Sequence, residues 1–137
     1  MKIVSACLAG IKCNYQGKAK PCQQVIDSVN KGEAIAVCPE QLGGLSTPRT
    51  PSEIIGDKVI NQLGQDVTEQ FIIGAKKALE IAVANNCNEA ILKSKSPSCG
   101  CGKIYDGTFS DRLVDGDGVF AKMLKERGFK VLTEKDL

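Results

Sequence analysis

Three short apolar segments, each followed by a cysteine, constrain the fold of this chain more than any other feature. The pairs of segment and cysteine are residues 3–6 with Cys7, residues 34–37 with Cys38, and residues 90–92 with Cys99 in the polar segment that follows. Short apolar runs rich in β-branched residues predict buried strands. Because the carboxyl ends of parallel strands lie on one edge of a sheet, we expect the three thiols to meet there.

Helical and strand patterns alternate along the rest of the chain. Strands are predicted at residues 2–6, 34–37, 89–92 and 129–132, and helices at residues 21–29, from 66 or 68 to near 85, and 119–127. This alternation predicts an α/β fold, a small three-layer sandwich with a mainly parallel sheet of about four strands, Rossmann-like in its right-handed crossovers. A length of 137 residues predicts a single domain over residues 1–137.

Two segments break this periodicity. Residues 38–51 hold three prolines and two glycines, which predicts a long ordered loop without a regular element. Residues 93–102 read Lys-Ser-Lys-Ser-Pro-Ser-Cys-Gly-Cys-Gly, a composition with little to bury and many hydrogen-bond donors. Residues 53–60 predict a short hairpin around Gly56. Residues 104–109 are predicted as a turn-rich connection.

Composition narrows the chemistry that the chain can perform. It has seven cysteines and no histidine, so a metal ligand must come from Cys, Asp or Glu, and a proton carrier cannot be an imidazole. Aromatic residues make up 4%, tryptophan is absent, and the net charge is +2. These values argue against an extended base-stacking surface and against a basic groove for nucleic acid.

Nothing in the sequence resembles a secretory signal, a lipoprotein signal or a membrane span. We therefore expect a cytoplasmic protein without a membrane partner. Thiols stay reduced in that compartment, where clustered cysteines indicate metal binding or catalysis rather than disulfides.

The three cysteines at equivalent strand ends indicate a metal centre. All-thiolate sites hold iron–sulfur clusters or zinc. Structural zinc sites usually have four ligands, often in C-x-x-C pairs, and this chain has no such pair. Three dispersed ligands, Cys7, Cys38 and Cys99, favour a cubane cluster with one iron left open for substrate. The alternative is that each cysteine is a small buried hydrophobic residue.

Four other side chains are candidates for chemistry beside the thiols. Glu40, two residues beyond Cys38, could carry protons or activate water, or could be a solvated loop charge. Ser96 and Ser98 could donate to substrate or to cluster sulfur, or could make ordinary turn hydrogen bonds. Arg49 could bind a carboxylate or phosphate of a substrate, or could pair with a nearby glutamate, Glu53.

The remaining cysteines and one glycine motif have weaker functional signals. Cys13 and Cys101 lie near the predicted site and could supply a fourth ligand or a sulfur acceptor, whereas Cys22 and Cys87 are predicted to pack. The sequence from Gly116 matches the dinucleotide-binding pattern G-x-G-x-x-A, but no convincing strand precedes it. We therefore predict a glycine-rich helix start there.

Several blocks of the sequence, in order and over nearly the whole chain, resemble the thiouracil desulfurase (TudS) family. The blocks are Ser5-Ala6-Cys7-Leu8, Cys38-Pro39-Glu40, Pro48-Arg49, Ser96-Pro97-Ser98-Cys99-Gly100 and residues 104–109. The resemblance implies an oxygen-sensitive [4Fe-4S] cluster on Cys7, Cys38 and Cys99, which aerobic preparation could remove. It also implies catalytic roles for Glu40 and Ser96.

The activity implied by the resemblance is a non-redox desulfuration of a thiolated pyrimidine similar to 2- or 4-thiouracil. Oxygen replaces the thiocarbonyl sulfur, and sulfide is released. On this hypothesis Ser98 and Arg49 bind the small nucleobase. Two alternatives stay open: a non-enzymatic module that binds a cluster or zinc and senses metal or oxygen, and an enzyme that desulfurates thiolated tRNA.

Overall fold

The chain folds into eight strands and four α-helices, and the computed structural model describes all of residues 1–137. In order along the chain they are β1 (Lys2–Ser5), α1 (Gln23–Asn30), β2 (Ala34–Val37), α2 (Pro39–Leu42), β3 (Ser52–Ile55), β4 (Lys58–Asn61), α3 (Thr68–Ala84), β5 (Glu89–Leu92), β6 (Lys103–Tyr105), β7 (Leu113–Asp115), α4 (Val119–Glu126) and β8 (Lys130–Thr133). Two 3-10 turns, Ala6–Ala9 and Glu134–Asp136, follow the first and the last strand.

The central sheet has four parallel strands in the order β2-β1-β5-β8. Its register pairs Val4 of β1 with Ala36 of β2 and with Ile91 of β5, and pairs Ile91 with Leu132 of β8. Parallel neighbours need crossover connections, and α1, α3 and α4 lie in those connections. The predicted α/β class with four parallel strands is confirmed.

Helices cover both faces of this sheet, which gives the three layers. On one face, Ile3 and Leu92 pack in a buried cluster with Phe120 of α4 and several small residues of α3. On the other face, Val4 packs with Val25 of α1. Adjacent residues of β1 thus enter opposite cores, as the pleat of a strand requires. Full burial of a valine, leucine, isoleucine or phenylalanine side chain stabilises the folded state by about 1.5–3 kcal/mol. The two clusters together therefore hold the strands of the central sheet in place.

The predicted helices and strands of the central fold agree with the structure apart from their ends. The longest predicted helix is α3, which has 17 residues, and no helix of the protein is long and apolar enough to cross a membrane. The predicted helix over residues 21–29 starts two residues too early, at Pro21. That helix begins at Gln23, and Cys22 precedes it in an extended conformation as the N-cap.

Two small antiparallel hairpins and one short helix lie outside the central sheet. The hairpin of β3 and β4 is the predicted one and turns at Gly56. The hairpin of β6 and β7 replaces the turn-rich connection that the sequence predicts. The expectation that residues 38–51 contain no regular element is wrong at α2, because Pro39 has a backbone angle suited to a helix start.

Candidate metal centre and active site

A cavity of about 500 Å³ opens at the carboxyl edge of the sheet. The three thiols predicted to meet, those of Cys7, Cys38 and Cys99, all line it, and so do Glu40 and Arg49. The thiols come from three adjacent strands, since β1 lies between β2 and β5. Ligand sites in open α/β sheets are found at this position.

Each thiol is held by a different local structure just beyond its strand. Cys7 lies in the 3-10 turn after β1, and Cys38 is the N-cap of α2 directly after β2. Cys99 lies in the loop after β5. Cys7 and Cys99 are almost fully buried, with exposed fractions of 9% and 4%, whereas Cys38 is half-buried. The three cysteines therefore line the inner wall of the cavity.

The three thiols suit a cluster in their chemistry and their spread. All seven cysteines of the chain are free thiols. The thiols at the cavity do not converge on the position of a single ion. A cubane meets each thiolate at a different iron atom, so its ligands need not converge. Two polar groups also lie near sulfur: Ser98 Oγ is 3.7 Å from Cys99 Sγ, and Arg49 Nη2 is 4.0 Å from Cys38 Sγ.

The environments of the thiols differ, and so do their pKa values. Burial is the main cause that raises the pKa of Cys7 to about 11 and that of Cys99 to about 12. The pKa of Cys38 is lowered to about 6, chiefly by a hydrogen bond from the Cys13 thiol, and the pKa of Cys13 is raised by the same contact. Cys38 therefore ionises first. Thiolates rather than thiols bind metal, so loading the site releases protons.

Glu40 and Arg49 form a largely buried ion pair beside Cys38. Arg49 Nε donates to Glu40 Oε1 at 3.0 Å, and the two side chains are only 14% (Glu40) and 7% (Arg49) exposed. The other guanidinium nitrogens donate to the Cys13 carbonyl at 2.8 Å, to Thr47 Oγ1 at 2.9 Å and to the Ser46 carbonyl at 3.1 Å. Arg49 thus pairs with Glu40 rather than with Glu53.

The two serines of the loop connect Glu40 to Cys99. Ser98 Oγ donates to Glu40 Oε2 at 2.9 Å and lies 3.1 Å from Ser96 Oγ. Ser96 Oγ in turn accepts the backbone N–H groups of Ser98 and Cys99, at 3.2 and 3.1 Å. Ser98 is 2% exposed, whereas Ser96 is half-buried at the cavity wall. Both carboxylate oxygens of Glu40 are therefore fixed, one by Arg49 and one by Ser98.

The first turn of α4 holds this loop in place. The backbone N–H groups of Val119 and Phe120 donate to the carbonyls of Pro97 and Ser98 at 2.9 and 2.8 Å. A Cβ on Gly118 would lie 2.5 Å from the Ser98 carbonyl carbon, so only glycine fits there. The match to the dinucleotide pattern is thus a glycine-rich helix start, as predicted, and its amides serve the loop.

Three polar groups at the site escaped the sequence reasoning. Ser5 is 3% exposed, accepts the Lys93 N–H at 2.9 Å and lines the cavity with Cys99. Its signal was visible, because it is a polar residue at the end of an apolar strand. Glu134 accepts from Lys93 Nζ at 2.9 Å, and Glu53 lines the cavity from β3. No local pattern indicates these two, since their partners lie far away in the sequence.

The four cysteines without a predicted ligand role occupy different places. Cys13 is 2% exposed and lines the cavity beside Cys38. Cys101 Sγ points to the Val131 carbonyl at 3.8 Å. Cys22 and Cys87 pack against the two hydrophobic clusters, in line with the expectation that they pack.

Comparison with known proteins identifies the family of the chain. The model of the 2-thiouracil desulfurase family matches residues 3–136. A protein of Bacillus subtilis (strain 168), "Uncharacterized protein YbbK", is 44% identical over 147 residues, which cover 100% of this chain and 97% of that protein. The solved structure of a [4Fe-4S]-dependent thiouracil desulfidase, TudS, is similar with a TM-score of 0.94 and 41% identity, over 98% of this chain and 91% of that chain. The chain belongs to the 2-thiouracil desulfurase family.

Proposed function

We propose that the protein is an iron–sulfur-dependent desulfurase acting on a thiolated pyrimidine such as 2- or 4-thiouracil. In the reaction, the thiocarbonyl group and one water give a carbonyl group and hydrogen sulfide, without a net change in redox state. The observation that carries this proposal is the placement of three thiols and an anchored glutamate on one cavity in a member of this family.

We assign Cys7, Cys38 and Cys99 as the ligands of a [4Fe-4S] cluster, the cofactor named for the similar solved structure. Their thiol chemistry and their common position on one cavity, at the ends of three adjacent strands, support this assignment. When bound, the cluster supplies an iron without a protein ligand, a soft Lewis acid suited to a thiocarbonyl sulfur.

Glu40 is the proposed general base. Each of its carboxylate oxygens accepts one hydrogen bond from the protein, which leaves further lone pairs unused, and Glu40 lines the cavity. In this position the carboxylate takes a proton from the attacking water as the carbon–oxygen bond forms. It then returns that proton to the departing sulfur as the carbon–sulfur bond breaks, and the second proton of the water passes from the new hydroxyl group to the same sulfur, which gives a carbonyl group and hydrogen sulfide.

Ser96, Ser98 and Arg49 take supporting roles in this proposal. Ser96 Oγ accepts two backbone N–H groups, which leaves its hydroxyl hydrogen free for Ser98 or for a group in the cavity. We keep Ser96 as the second catalytic group, a hydroxyl donor. Ser98 and Arg49, predicted from the sequence to bind substrate, both donate to Glu40, and we propose that they act through that carboxylate.

The decisive experiment is anaerobic purification and reconstitution, followed by iron and sulfide analysis. We expect roughly four iron and four acid-labile sulfide per chain, as a [4Fe-4S] cluster requires. Replacing any proposed ligand, for example Cys38→Ala, should abolish stable cluster binding, whereas the matched control Cys22→Ala should bind it normally. Stoichiometric zinc without acid-labile sulfide would contradict the proposal.

A second measurement separates an enzyme from a module that only binds a cluster. Glu40→Gln should retain the iron and sulfide content and the visible absorption of the cluster while losing at least 100-fold in turnover, within the roughly 10²–10⁴-fold range of general-base catalysis. The substrate is tested by offering free 2-thiouracil, free 4-thiouracil and a thiolated tRNA to the same reconstituted protein. If only the thiolated tRNA released sulfide, the substrate would be tRNA and not the free base.

A further inference from the structure

Phe109 is set apart from the other phenylalanines of the protein. The chain has four phenylalanines and two tyrosines. Phe71, Phe120 and Phe129 pack in or against the hydrophobic clusters. Phe109 belongs to none of these clusters and lines the cavity, together with Tyr15 and Tyr105. The aromatic rings that contribute nothing to the core are therefore gathered around the site.

The backbone at Phe109 is in a conformation that disfavours a bulky residue. Phe109 lies in the loop between β6 and β7 with φ +56°, and Asp111 in the same loop has φ +62°. Such left-handed angles are rare for residues other than Gly, Asn and Asp, and for a large side chain they signal strain. Strained residues persist where the surroundings fix them, and they cluster at ligand-binding and active sites.

Glu53 is the group that fixes this loop. Its Oε1 accepts the backbone N–H of Gly107 at 2.9 Å and that of Phe109 at 3.1 Å. Glu53 is 9% exposed, so its carboxylate is buried and stabilises the loop from the protein interior. A Cβ on Gly107 would lie 2.5 Å from Ile55 Cγ1, which shows how closely the loop is seated on β3.

We propose that Phe109 is the stacking platform for the pyrimidine ring and that Glu53 is the residue that positions it. A pyrimidine presents a flat π-face, and stacking on an aromatic side chain binds it independently of its substituents. The platform therefore selects planar thiolated heterocycles over open-chain thioamides and thioureas that carry the same thiocarbonyl group. The inference rests on the proposed function, because it names how the same cavity recognises its substrate.

The absence of tryptophan from the chain gives a direct test of stacking. Phe109→Trp makes residue 109 the only indole, and uracil, the desulfurated product ring, does not absorb at the red edge of tryptophan absorption. We expect uracil to quench this fluorescence in a saturable manner in the cluster-free protein. The matched control is Phe129→Trp, which carries the same substitution on the core side and should show no saturable quenching.

A strain-relieving variant separates binding from structural support. Phe109→Gly removes the ring and suits the left-handed angle, so it should unfold at the same temperature as the parent or higher. The same variant, reconstituted, should raise the KM for 2-thiouracil by roughly 5- to 150-fold, the value of one base–aromatic stack, and leave kcat largely unchanged.

The positioning role of Glu53 has its own comparison. Glu53→Ala removes the acceptor and should raise the KM for 2-thiouracil, as Phe109→Gly does. Glu53→Gln keeps a carbonyl oxygen for both N–H groups and should retain most of the affinity.

Three outcomes would contradict these proposals. An unchanged KM and no uracil quenching, in a protein that still releases sulfide, would overturn the stacking role of Phe109 while leaving the desulfurase proposal intact. Loss of folding in Phe109→Gly would also overturn it, since the ring would then be structural. Uracil quenching in a protein that never releases sulfide from any substrate would instead sink the proposed function.

Discussion

Arg49 donates to several parts of the site at once, so its guanidinium determines the geometry of Glu40. One nitrogen donates a hydrogen bond to the Glu40 carboxylate, and the others donate to the Cys13 carbonyl, the Ser46 carbonyl and the Thr47 hydroxyl. The planar fork of five N–H donors makes such a set of contacts possible, and lysine could not reproduce it. Because both side chains are largely buried, the loss of either partner leaves the charge of the other poorly solvated.

Arg49→Met should therefore destabilise the cluster-free protein by about 3–5 kcal/mol, because it leaves the largely buried Glu40 carboxylate without its cation and with the Ser98 hydroxyl as its remaining donor. The double variant Glu40→Gln/Arg49→Met should recover roughly 1–3 kcal/mol of that loss, since the stranded charge is then removed. The measurement is urea unfolding under reducing conditions for the parent, both single variants and the double variant. Strictly additive losses would show that the pair is not coupled.

At the scale of elements, α2 is fixed by two glycines that allow backbones to touch. A Cβ on Gly74 of α3 would lie 1.8 Å from the Pro39 carbonyl oxygen, and one on Gly43 would lie 2.0 Å from the Gln70 carbonyl oxygen. No side chain fits between α2 and α3 at these points. The position of α2, which carries Glu40 and follows Cys38, is thus set by the close approach of the two helices.

Gly74→Ala tests this contact because two effects of opposite sign compete. Within a helix, alanine is normally more favourable than glycine by about 0.5–1 kcal/mol. Here the clash with Pro39 should dominate and give a net destabilisation of about 1–3 kcal/mol, together with weaker cluster binding. Chemical unfolding and iron content measure the two effects. The control is Ile73→Ala, at a 39% exposed position of the same helix, which should change stability less. If Gly74→Ala were more stable than the parent, the close approach of α2 and α3 would be refuted.

The sequence predicted those elements that have a long or strongly apolar pattern. The strands β2 and β5 have the predicted bounds, because each is a compact apolar run between polar turns. In contrast, α2 has four residues, too few to show a helical period, and β7 is exposed at every position and so has no alternation to detect. The hairpin of β6 and β7 was therefore missed, and with it the fixed loop that carries Phe109.

The site was predictable in its thiols and less so in its hydrogen bonds. Cys7, Cys38 and Cys99 could be brought together from topology, because parallel strands end at one edge. The link from Ser98 to Glu40 joins residues that are 58 positions apart and depends on where α4 holds the loop. The role of Arg49 likewise depends on where α2 lies against α3, which no local pattern reveals.

At the scale of the whole molecule, Glu134 ties the far end of the chain to the loop after β5. Its carboxylate accepts the Ser94 N–H at 2.7 Å, the Ser94 hydroxyl at 2.8 Å and Lys93 Nζ at 2.9 Å. Burial alone would raise the pKa of Glu134, but these hydrogen bonds and the charge of Lys93 outweigh it and lower that pKa. Lys93 also donates its N–H to Ser5, so the tie reaches the strand end beside Cys7.

This tie predicts a pH dependence of stability with a definite sign. The folded state binds the proton of Glu134 less readily than the unfolded state, so the carboxylate stabilises the protein above the unfolded pKa of about 4.3. The stabilisation is lost as the pH falls through the lower folded pKa. Glu134→Gln should thus cost about 1.5–3 kcal/mol at neutral pH, the range for hydrogen bonds to a charged group, and progressively less in acid.

Unfolding of the parent and of Glu134→Gln by urea, in steps from neutral pH into the acid range, measures that difference. The control is Glu126→Gln at the exposed end of α4, a residue without an ion pair, for which the difference should be small at every pH. A cost of Glu134→Gln that stays constant with pH would mean that the carboxylate acts through shape alone. A cost that vanishes in acid would show that its charge holds the loop beside the cysteines to the last strand of the sheet.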